Sequence, residues 1–423
     1  MRRGQFRRWV AVGAALPLIV APVLVAAPAS ADDVSSGLWY VDALHIKDAH
    51  AAGFTGAGVT VAIMDGPVNM QVPTLVGSNV QVQEPSVCLD DSGAPLPSTS
   101  VETSGSTNAL HGTDVASVLS GTGAGYDGEA GVVGVAPGAT VLFYAMAYDT
   151  ADSLACPHDV PDPGFEVEDA LATDINDAID KGADIISISL GLNGSGALTD
   201  AIARAHREGV VVLGAVPNDP LALGGIVPGA MNGVVAVVAS DSAAQVLTQA
   251  PWGTVAGPGV GILGQGAPGS AWTDQYLKEG SSLATPIVAG FLAMVLQKYP
   301  KATGNQLIQT LIHNTGGGNP DLVHTDELGY GIASATEMLG VDPTQYPDTN
   351  PLLTDDNSPS IEESTPGATP TATATDPGES TPGSGNPVGF LIVAGIVGLL
   401  VVIGLIVLIV ILATRRSRTP GHS

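Results

Sequence analysis

Residues 59–66 read VTVAIMDG, an uninterrupted apolar run that ends in an aspartate and a glycine. Comparable apolar runs recur at 141–144, 184–190, 210–213 and 234–239. Strands that are covered on both faces read this way, because neither face alternates with solvent. Helical patterns lie between the runs, at about 112–120, 166–181, 197–208 and 285–298. This alternation predicts an α/β fold in which a mostly parallel sheet carries helices on both faces.

The first 31 residues predict a secretory signal peptide. Four arginines within the first eight residues precede an apolar run, which ends in the small-residue site ASA at 29–31. A basic start, an apolar centre and a small-x-small cleavage site are the three parts of such a signal. An uncleaved N-terminal anchor is the alternative, and Pro17 and Pro22 within the apolar run disfavour it.

Residues 387–413 predict one membrane-spanning helix. The run from Val388 to Leu412 contains no charged residue. At ~1.5 Å per residue it would extend roughly 37 Å as a helix, enough to cross a ~30 Å hydrocarbon core with some tilt. Three arginines follow within residues 414–423, and positive charge marks the cytoplasmic side. We therefore expect a single-pass protein of the cell membrane, with a cytoplasmic tail and an extracellular domain.

Between the domain and the span, residues 341–386 predict a linker. Most of this range is rich in Thr, Pro, Gly and Ser, as in TPGATPTATATDPGESTPGSGNP. Such a composition cannot bury enough apolar surface to offset the entropy lost on ordering. The preceding residues, 32–340, are long enough for one large α/β domain with a short N-terminal extension.

The charge balance limits the range of partners. The formal net charge is −27, and all 41 acidic residues lie in the part of the chain expected outside the membrane. Such a surface repels phosphate backbones, which argues against nucleic acid as a partner. The chain has two cysteines, Cys88 and Cys156, which are too few for a disulfide scaffold. One bridge between them is expected in an oxidising compartment.

Three residues could supply the carboxylate, the imidazole and the hydroxyl that nucleophilic catalysis by a serine requires. Asp65 ends a predicted parallel strand, the position at which open α/β sheets place functional groups. His111 opens the helical pattern HGTDVASVLSG, and Ser282 lies at the start of the apolar helix in GSSLATPIVAG. A helix start places backbone N–H groups beside the hydroxyl, which favours a developing oxyanion. The alternatives are a turn aspartate, an ordinary polar histidine and a helix N-cap serine, a role that Ser281 could fill.

These motifs resemble the subtilisin-like (subtilase) serine peptidases in their order Asp, His, Ser. VAIMDG, HGTDVAS and GSSLATPIVAG are similar to the three boxes that carry the triad of that family. The resemblance covers about residues 37–340 and implies a subtilisin-like three-layer fold. It also implies that Ser282 is the nucleophile, His111 the base and Asp65 the group that orients the base. The Asp box departs from the family pattern, since Gly66-Pro67 stands where Thr or Ser followed by Gly is usual.

The resemblance also implies the residues that surround the substrate. Asn218, in GAVPND, matches the family's oxyanion asparagine, although Pro217 precedes it where glycine is usual. Asn193 and Asn232 are the competing asparagines, each followed by glycine in a turn-like context. An extended substrate strand is expected, and two walls of its side-chain pocket are expected from Ser189, Leu190, Gly191, Ala215 and Val216. The small, neutral character of these residues favours a small or apolar substrate side chain.

The order of segments adds a second resemblance, to the mycosins, which are membrane-anchored subtilases of actinobacterial type VII secretion. It implies a serine endopeptidase that cuts exported proteins, and a type VII-like secretion complex as a partner. A structural or chaperone subunit with dispensable catalysis is the alternative. The Asp- and Pro-rich insertion at 149–164 either covers the cleft or forms a solvated loop. No cofactor or catalytic metal is implied, and structural calcium is left open.

Overall fold

The computed structural model describes residues 36–90, 92–102, 107–146, 148–149, 154–156, 167–222, 228–267, 269–355 and 357–365. The chain divides into two units, Met1–Pro370 and Thr371–Ser423, and every described residue belongs to the first. The predicted signal peptide, membrane span and cytoplasmic tail lie outside the described residues. The same holds for residues 366–386 of the predicted linker and for most of the insertion at 149–164.

The strands follow one another along the chain with helices or loops between them. Their bounds are β1 Thr60–Asp65, β2 Val80–Val82, β3 Thr122–Ala124, β4 Ala130–Val133, β5 Thr140–Ala145, β6 Tyr148–Asp149, β7 Leu154–Ala155, β8 Ile185–Ile188, β9 Val211–Ala215, β10 Val235–Ser240, β11 Val255–Pro258, β12 Val260–Gln265 and β13 Gln275–Glu279.

The helices are α1 Trp39–Ala43, α2 Ile46–Ala51, α3 Thr107–Ser120, α4 Val167–Asp180, α5 Gly196–Arg207, α6 Ser281–Lys298, α7 Gly304–His313, α8 Ala335–Leu339 and α9 Ile361–Ser364. Short 3₁₀ helices cover Tyr126–Gly128, Pro220–Ala222 and Pro343–Gln345. The four helices and five strands predicted from the apolar patterns all form, with ends displaced by a few residues.

Seven strands form one parallel sheet in the order β11-β10-β9-β8-β1-β5-β2. Strand β1 lies inside it, with Thr60–Asp65 paired to Thr140–Ala145 of β5 on one side and β8 on the other. The prediction of a subtilisin-like α/β fold is confirmed. Asp65, at the carboxyl end of β1, pairs with Ala145 of β5, and the pairing with β8 ends one residue earlier, at Met64.

Helices cover both faces of the sheet, which explains why the strands read as continuous apolar runs. Ile63 of β1 is fully buried in a cluster with residues of α3 and α6. Its neighbour Met64 points to the other face and is fully buried with residues of α4 and α5. The described domain is therefore built of three layers, with the sheet in the middle.

The predicted disulfide is present. Cys88 and Cys156 are bonded, with Cα atoms 4.9 Å apart across a sequence separation of 68 residues. Cys88 is fully buried among residues that pack under α4, and it follows β2 in the chain. The bond therefore attaches the segment after β2 to the segment after β7.

Residues 341–355 and 357–365 pack against the domain, although the composition assigned them to the linker. The Asn232 amide donates to the carbonyls of Thr354 and Pro359, each at 2.8 Å. The Tyr346 ring stacks on His313 with ring centroids 4.8 Å apart. The domain supplies these contacts, so the composition of the segment alone does not reveal them.

One helix in the described part of the chain, α6, is long and apolar enough to cross a membrane. Its apolar window is 78% buried inside the domain, as expected for a core helix. It packs against α3 and the central strands in the main hydrophobic cluster. The predicted span at 387–413 is a different segment, outside the described residues.

Candidate active site

A cleft of about 290 Å³ opens beside the carboxyl end of the sheet. Its lining includes His111 near the start of α3, Ser282 at the start of α6, and Asn218 in the loop after β9. The five residues predicted as pocket walls, Ser189, Leu190, Gly191, Ala215 and Val216, line the same cleft. Asp65 lies behind His111 and is fully buried. The structure thus brings together every site residue predicted from the motifs.

Asp65 and His111 form the central contact of the site. The His111 Nδ1 lies 2.7 Å from Asp65 Oδ1, and the Gly66 N–H donates to the same oxygen at 2.7 Å. With Nδ1 donating to the carboxylate, a neutral imidazole carries its free lone pair on Nε2. About a third of the His111 side chain, 35%, is exposed, whereas the Asp65 side chain is 0% exposed. The ring is therefore oriented from behind by a buried carboxylate and is open towards the cleft.

Two glycines allow this contact to form. A Cβ on Gly112 would lie 2.4 Å from the Gly66 carbonyl oxygen, and a Cβ on Gly66 would lie 2.5 Å from the Asn108 carbonyl oxygen. Helix α3 therefore rests directly on the backbone that follows Asp65. Residue 66 has no space for the Thr or Ser side chain that is usual in the Asp box. Asp65 Oδ2 is buried and has no hydrogen-bond partner among the residues that the structure describes.

The charged form of His111 is favoured by its surroundings. Burial opposes the positive charge, but the Asp65 carboxylate attracts it and accepts its hydrogen bond, and Asp114 attracts it further. Lys278 repels the charge and acts in the opposite direction. The net result is a His111 pKa above its ordinary value. The imidazole can thus accept a proton readily, since its cationic form is stabilised in place.

Ser282 lies in the first turn of α6 and forms two hydrogen bonds with Ser189, the residue that follows β8. The Ser189 hydroxyl donates to the Ser282 carbonyl at 2.8 Å, and the Ser282 hydroxyl donates to the Ser189 carbonyl at 3.4 Å. The second bond is long and therefore weak, so the hydroxyl can exchange it for another acceptor. Gly280, with φ of +154°, is the N-cap of the helix, and within the described part of the chain no side chain caps the helix there.

The expectation that Ser281 could be the N-cap of α6 is wrong, because Gly280 occupies that position. Ser281 is the first residue of the helix. Its hydroxyl donates to the Val216 carbonyl and, at 3.0 Å, to Asn218 Oδ1. Its backbone N–H also donates to Asn218 Oδ1, at 2.9 Å. Ser281 therefore connects the start of α6 to the loop that carries Asn218.

These contacts determine the orientation of the Asn218 amide. Its oxygen accepts twice from Ser281, so its nitrogen is the group left to face the cleft. A Cβ on Gly280 would lie 3.2 Å from Asn218 Nδ2 and 3.9 Å from Ser282 Oγ, so amide and hydroxyl lie on the same side of that residue. The Thr248 hydroxyl donates to the Asn218 carbonyl at 2.6 Å and holds the loop. The amide is placed to donate to an oxygen bound next to the serine.

The competing asparagines lie elsewhere. Asn232 binds the carbonyls of the C-terminal segment, and Asn193 is exposed, with its backbone N–H donating to Glu168. Neither lines the cleft. No group of three or more His, Cys, Asp or Glu within the described ranges is arranged to hold a metal ion.

Two charged residues beside the site were missed by the motif reading. Asp114 is 3% exposed and forms an ion pair with Lys278, whose Nζ lies 2.5 Å from Asp114 Oδ2. The spacing of Asp114 from His111, three residues along one helix, could have indicated proximity to the site. No local sequence pattern indicates that Lys278 lies beside the site, because it is 164 residues away from Asp114 in the chain.

Comparisons with known proteins identify the family of the chain. The model of the subtilase family matches residues 56–336. The thermostable alkaline protease of Halalkalibacterium halodurans is 31% identical over 283 residues, which cover 64% of this chain and 66% of that protease.

Solved structures are similar in fold. The crystal structure of MycP1 from Mycobacterium smegmatis matches with a TM-score of 0.54 at 23% identity, covering 74% of this chain and 87% of that one. A MycP1 structure described as from the ESX-1 type VII secretion system matches with a TM-score of 0.55 at 22% identity, covering 74% and 88%. At this identity the likeness to MycP1 concerns the fold.

Proposed function

The chain belongs to the subtilase family of serine-type peptidases, and we propose that it is a membrane-anchored extracellular endopeptidase that cuts exported proteins. The observation that carries this proposal is the contact between His111 and the buried Asp65, with Ser282 in the same cleft. An imidazole oriented by a carboxylate, next to a hydroxyl, is the arrangement that peptide hydrolysis through an acyl-enzyme requires.

In the proposed reaction, Ser282 Oγ attacks the carbonyl carbon of the peptide bond while His111 Nε2 accepts its proton. Asp65 orients the imidazole and stabilises its cationic form through the 2.7 Å hydrogen bond. His111 then gives the proton to the departing amine, which leaves the acyl group on Ser282. Water, activated by the same imidazole, hydrolyses this ester and restores the serine.

The oxyanion formed in both steps has two donors within reach. One is the Asn218 amide nitrogen, which is oriented by the two hydrogen bonds from Ser281. The other is backbone N–H at the start of α6, where helix geometry leaves such groups without intrahelical partners. Donors aimed at the developing charge are a major source of rate enhancement in acyl transfer.

The substrate is proposed to bind as an extended strand across the cleft. Ser189, Leu190 and Gly191 would form one wall of the pocket for the side chain that precedes the cut bond, with Ala215 and Val216 on the other. All five line the cleft. None carries a charge, which supports a preference for small or apolar side chains.

The proposed location depends on the segments at the ends of the chain. A signal peptide at 1–31 would direct export, and a span at 387–413 with the basic tail at 414–423 would anchor the chain. The peptidase domain would then face outwards. The disulfide between Cys88 and Cys156 is consistent with an oxidising compartment.

A type VII-like secretion complex is the proposed partner, supported by the order of segments and by the fold shared with MycP1. The alternative is a structural subunit of such a complex for which catalysis is dispensable. One experiment separates the two. A deletion strain is complemented with the full chain or with its Ser282→Ala variant, and the exported proteins and their N-termini are measured.

If the chain acts by proteolysis, only the unaltered chain will produce the new N-termini in exported proteins. If both forms restore export and no N-terminus depends on Ser282, the structural role is correct and the peptidase proposal is wrong.

A further inference from the structure

Asp114 forms an ion pair beside the imidazole that the motifs did not indicate. It follows His111 by three residues on α3, so both side chains lie on the same side of the helix. Its Oδ2 accepts a hydrogen bond from the Lys278 ammonium at 2.5 Å. Asp114 is 4% exposed at its side chain and Lys278 22%, so the pair is largely shielded from water.

The second oxygen of Asp114 binds the neighbouring strand. Asp114 Oδ1 accepts from the Gln265 backbone N–H at 2.7 Å. Gln265 ends β12 and Lys278 lies in β13, and these strands pair as an antiparallel hairpin. One carboxylate thus contacts both strands. A Cβ on Gly264 would lie 2.8 Å from Asp114 Oδ1 and 2.9 Å from the Lys278 side chain, so the hairpin fits closely around the pair.

This hairpin leads directly to the nucleophile. Strand β13 ends at Glu279, Gly280 follows, and α6 begins at Ser281. The Asp114 carboxylate therefore joins the helix that carries His111 to the strand that precedes Ser282. A shift of the hairpin relative to α3 would change the distance between the imidazole and the hydroxyl.

We propose that Asp114 and Lys278 are positioning residues of the hydrolytic site, which hold α3 against the β12–β13 hairpin and balance the charge beside the imidazole. This inference rests on the proposed peptidase function. Both residues act through His111 and Ser282, and neither is assigned a contact with substrate.

The charges that face His111 come from three elements. Asp65 lies at the end of β1, Asp114 on α3 itself and Lys278 on β13. Burial disfavours the imidazolium, Asp65 and then Asp114 raise the His111 pKa, and Lys278 lowers it to a smaller extent than Asp114 raises it. Lys278 in turn opposes the effect of burial on Asp114, whose pKa is nevertheless raised.

The directions of change follow from these signs. Asp114→Asn keeps an acceptor for the Gln265 N–H but leaves the Lys278 charge uncompensated, so the His111 pKa falls. Asp114→Asn with Lys278→Met removes both charges, so the pKa rises again towards its original value. Because His111 must be neutral to accept the serine proton, the rising limb of the rate moves to lower pH when this pKa falls.

The test is the rate of fluorophosphonate labelling of the full-length protein as a function of pH. The expected order of midpoints is Asp114→Asn lowest, the double variant between, and the unaltered protein highest. Asp180→Asn is the matched control, because it removes an ion pair with Arg204 on the opposite face of the sheet and should leave the midpoint unchanged. A packing role alone would not produce this order.

Equal midpoints in all forms, with labelling still dependent on Ser282, would overturn the inference while leaving the peptidase function intact. Labelling that persists in Ser282→Ala would instead overturn the proposed function. If Asp114→Asn does not fold, the double variant still tests the inference, because a neutral buried pair is tolerated better than one unpaired charge. Its midpoint must then lie below that of the unaltered protein.

Discussion

A Cβ atom on Gly112 would lie 2.4 Å from the carbonyl oxygen of Gly66, so the helix that carries His111 touches the backbone that follows Asp65. No side chain separates the two elements at this point. The distance of 2.7 Å between His111 and Asp65 depends on this close approach. Glycine at residue 112 is therefore part of the geometry of the site.

We expect Gly112→Ala to lower activity by at least about tenfold, because the helix must move away from a rigid backbone atom and reacting groups are sensitive to small displacements. The free energy of unfolding should fall by about 1–3 kcal/mol from overpacking. Gly196→Ala is the matched control, since an added Cβ at this helical glycine would meet no described atom within 4 Å beyond its chain neighbours and its own helix backbone. Active-site labelling and chemical denaturation measure the two effects. Equal behaviour of the two variants would contradict the role of close packing.

We expect Asn218→Ala to reduce turnover by ~100- to 1,000-fold with little effect on KM, the range for losing one oxyanion donor, which was itself measured on a subtilisin. The amide nitrogen faces the cleft because the amide oxygen is occupied by Ser281. Steady-state kinetics on a peptide substrate measure the effect. Asn193→Ala is the control, because Asn193 is exposed and outside the cleft. Unchanged turnover in Asn218→Ala together with strongly reduced turnover in Asn193→Ala would place the oxyanion site elsewhere.

We expect loss of the Cys88–Cys156 bond to destabilise the domain by about 4 kcal/mol in the chain-entropy description, given the sequence separation of 68 residues. The measurement is denaturation of the double Cys→Ala variant beside the unaltered protein. Alkylation of the unreduced, denatured protein provides the check on the bond itself. Two free thiols in that assay would show that the bond does not form in the exported protein.

We expect a chain that stops after Asn386 to be released into the medium as a soluble protein, because the only predicted retained anchor would be removed. The full chain, expressed in parallel, should stay in the membrane fraction. Immunoblotting of both fractions, with N-terminal sequencing for signal cleavage, measures the outcome. A truncated form that has lost its signal peptide but remains in the membrane would contradict the topology.

The strands could be predicted closely because their signal is local. The run at 59–64 forms β1 at Thr60–Asp65, and the run at 234–239 forms β10 at Val235–Ser240. Burial on both faces leaves an unbroken apolar stretch in the sequence. The exact ends follow from pairing between strands, such as Asp65 with Ala145, and no local pattern encodes that pairing.

Features that depend on distant contacts could not be predicted. The apolar pattern placed the start of α6 at about 285, whereas the helix begins at Ser281. The hydroxyl of Ser281 binds Val216, 65 residues away, instead of capping the helix. The segment after residue 341 looks like linker by composition, yet Asn232 binds its backbone. In each case the partner lies far along the chain, where propensity and periodicity carry no information.

The central claim, that Ser282 is the nucleophile activated by His111, is tested most directly by fluorophosphonate labelling of the full-length protein. Three forms are compared: the unaltered chain, Ser282→Ala and Ser281→Ala, with the labelled peptide identified by mass spectrometry. The account predicts a label on Ser282 in the unaltered chain and none in Ser282→Ala. In Ser281→Ala labelling should be slower but present, since Asn218 Oδ1 loses the Ser281 hydroxyl and keeps the Ser281 backbone N–H as a donor. Labelling of Ser282→Ala at the rate of the unaltered chain, or its loss in Ser281→Ala alone, would contradict the account.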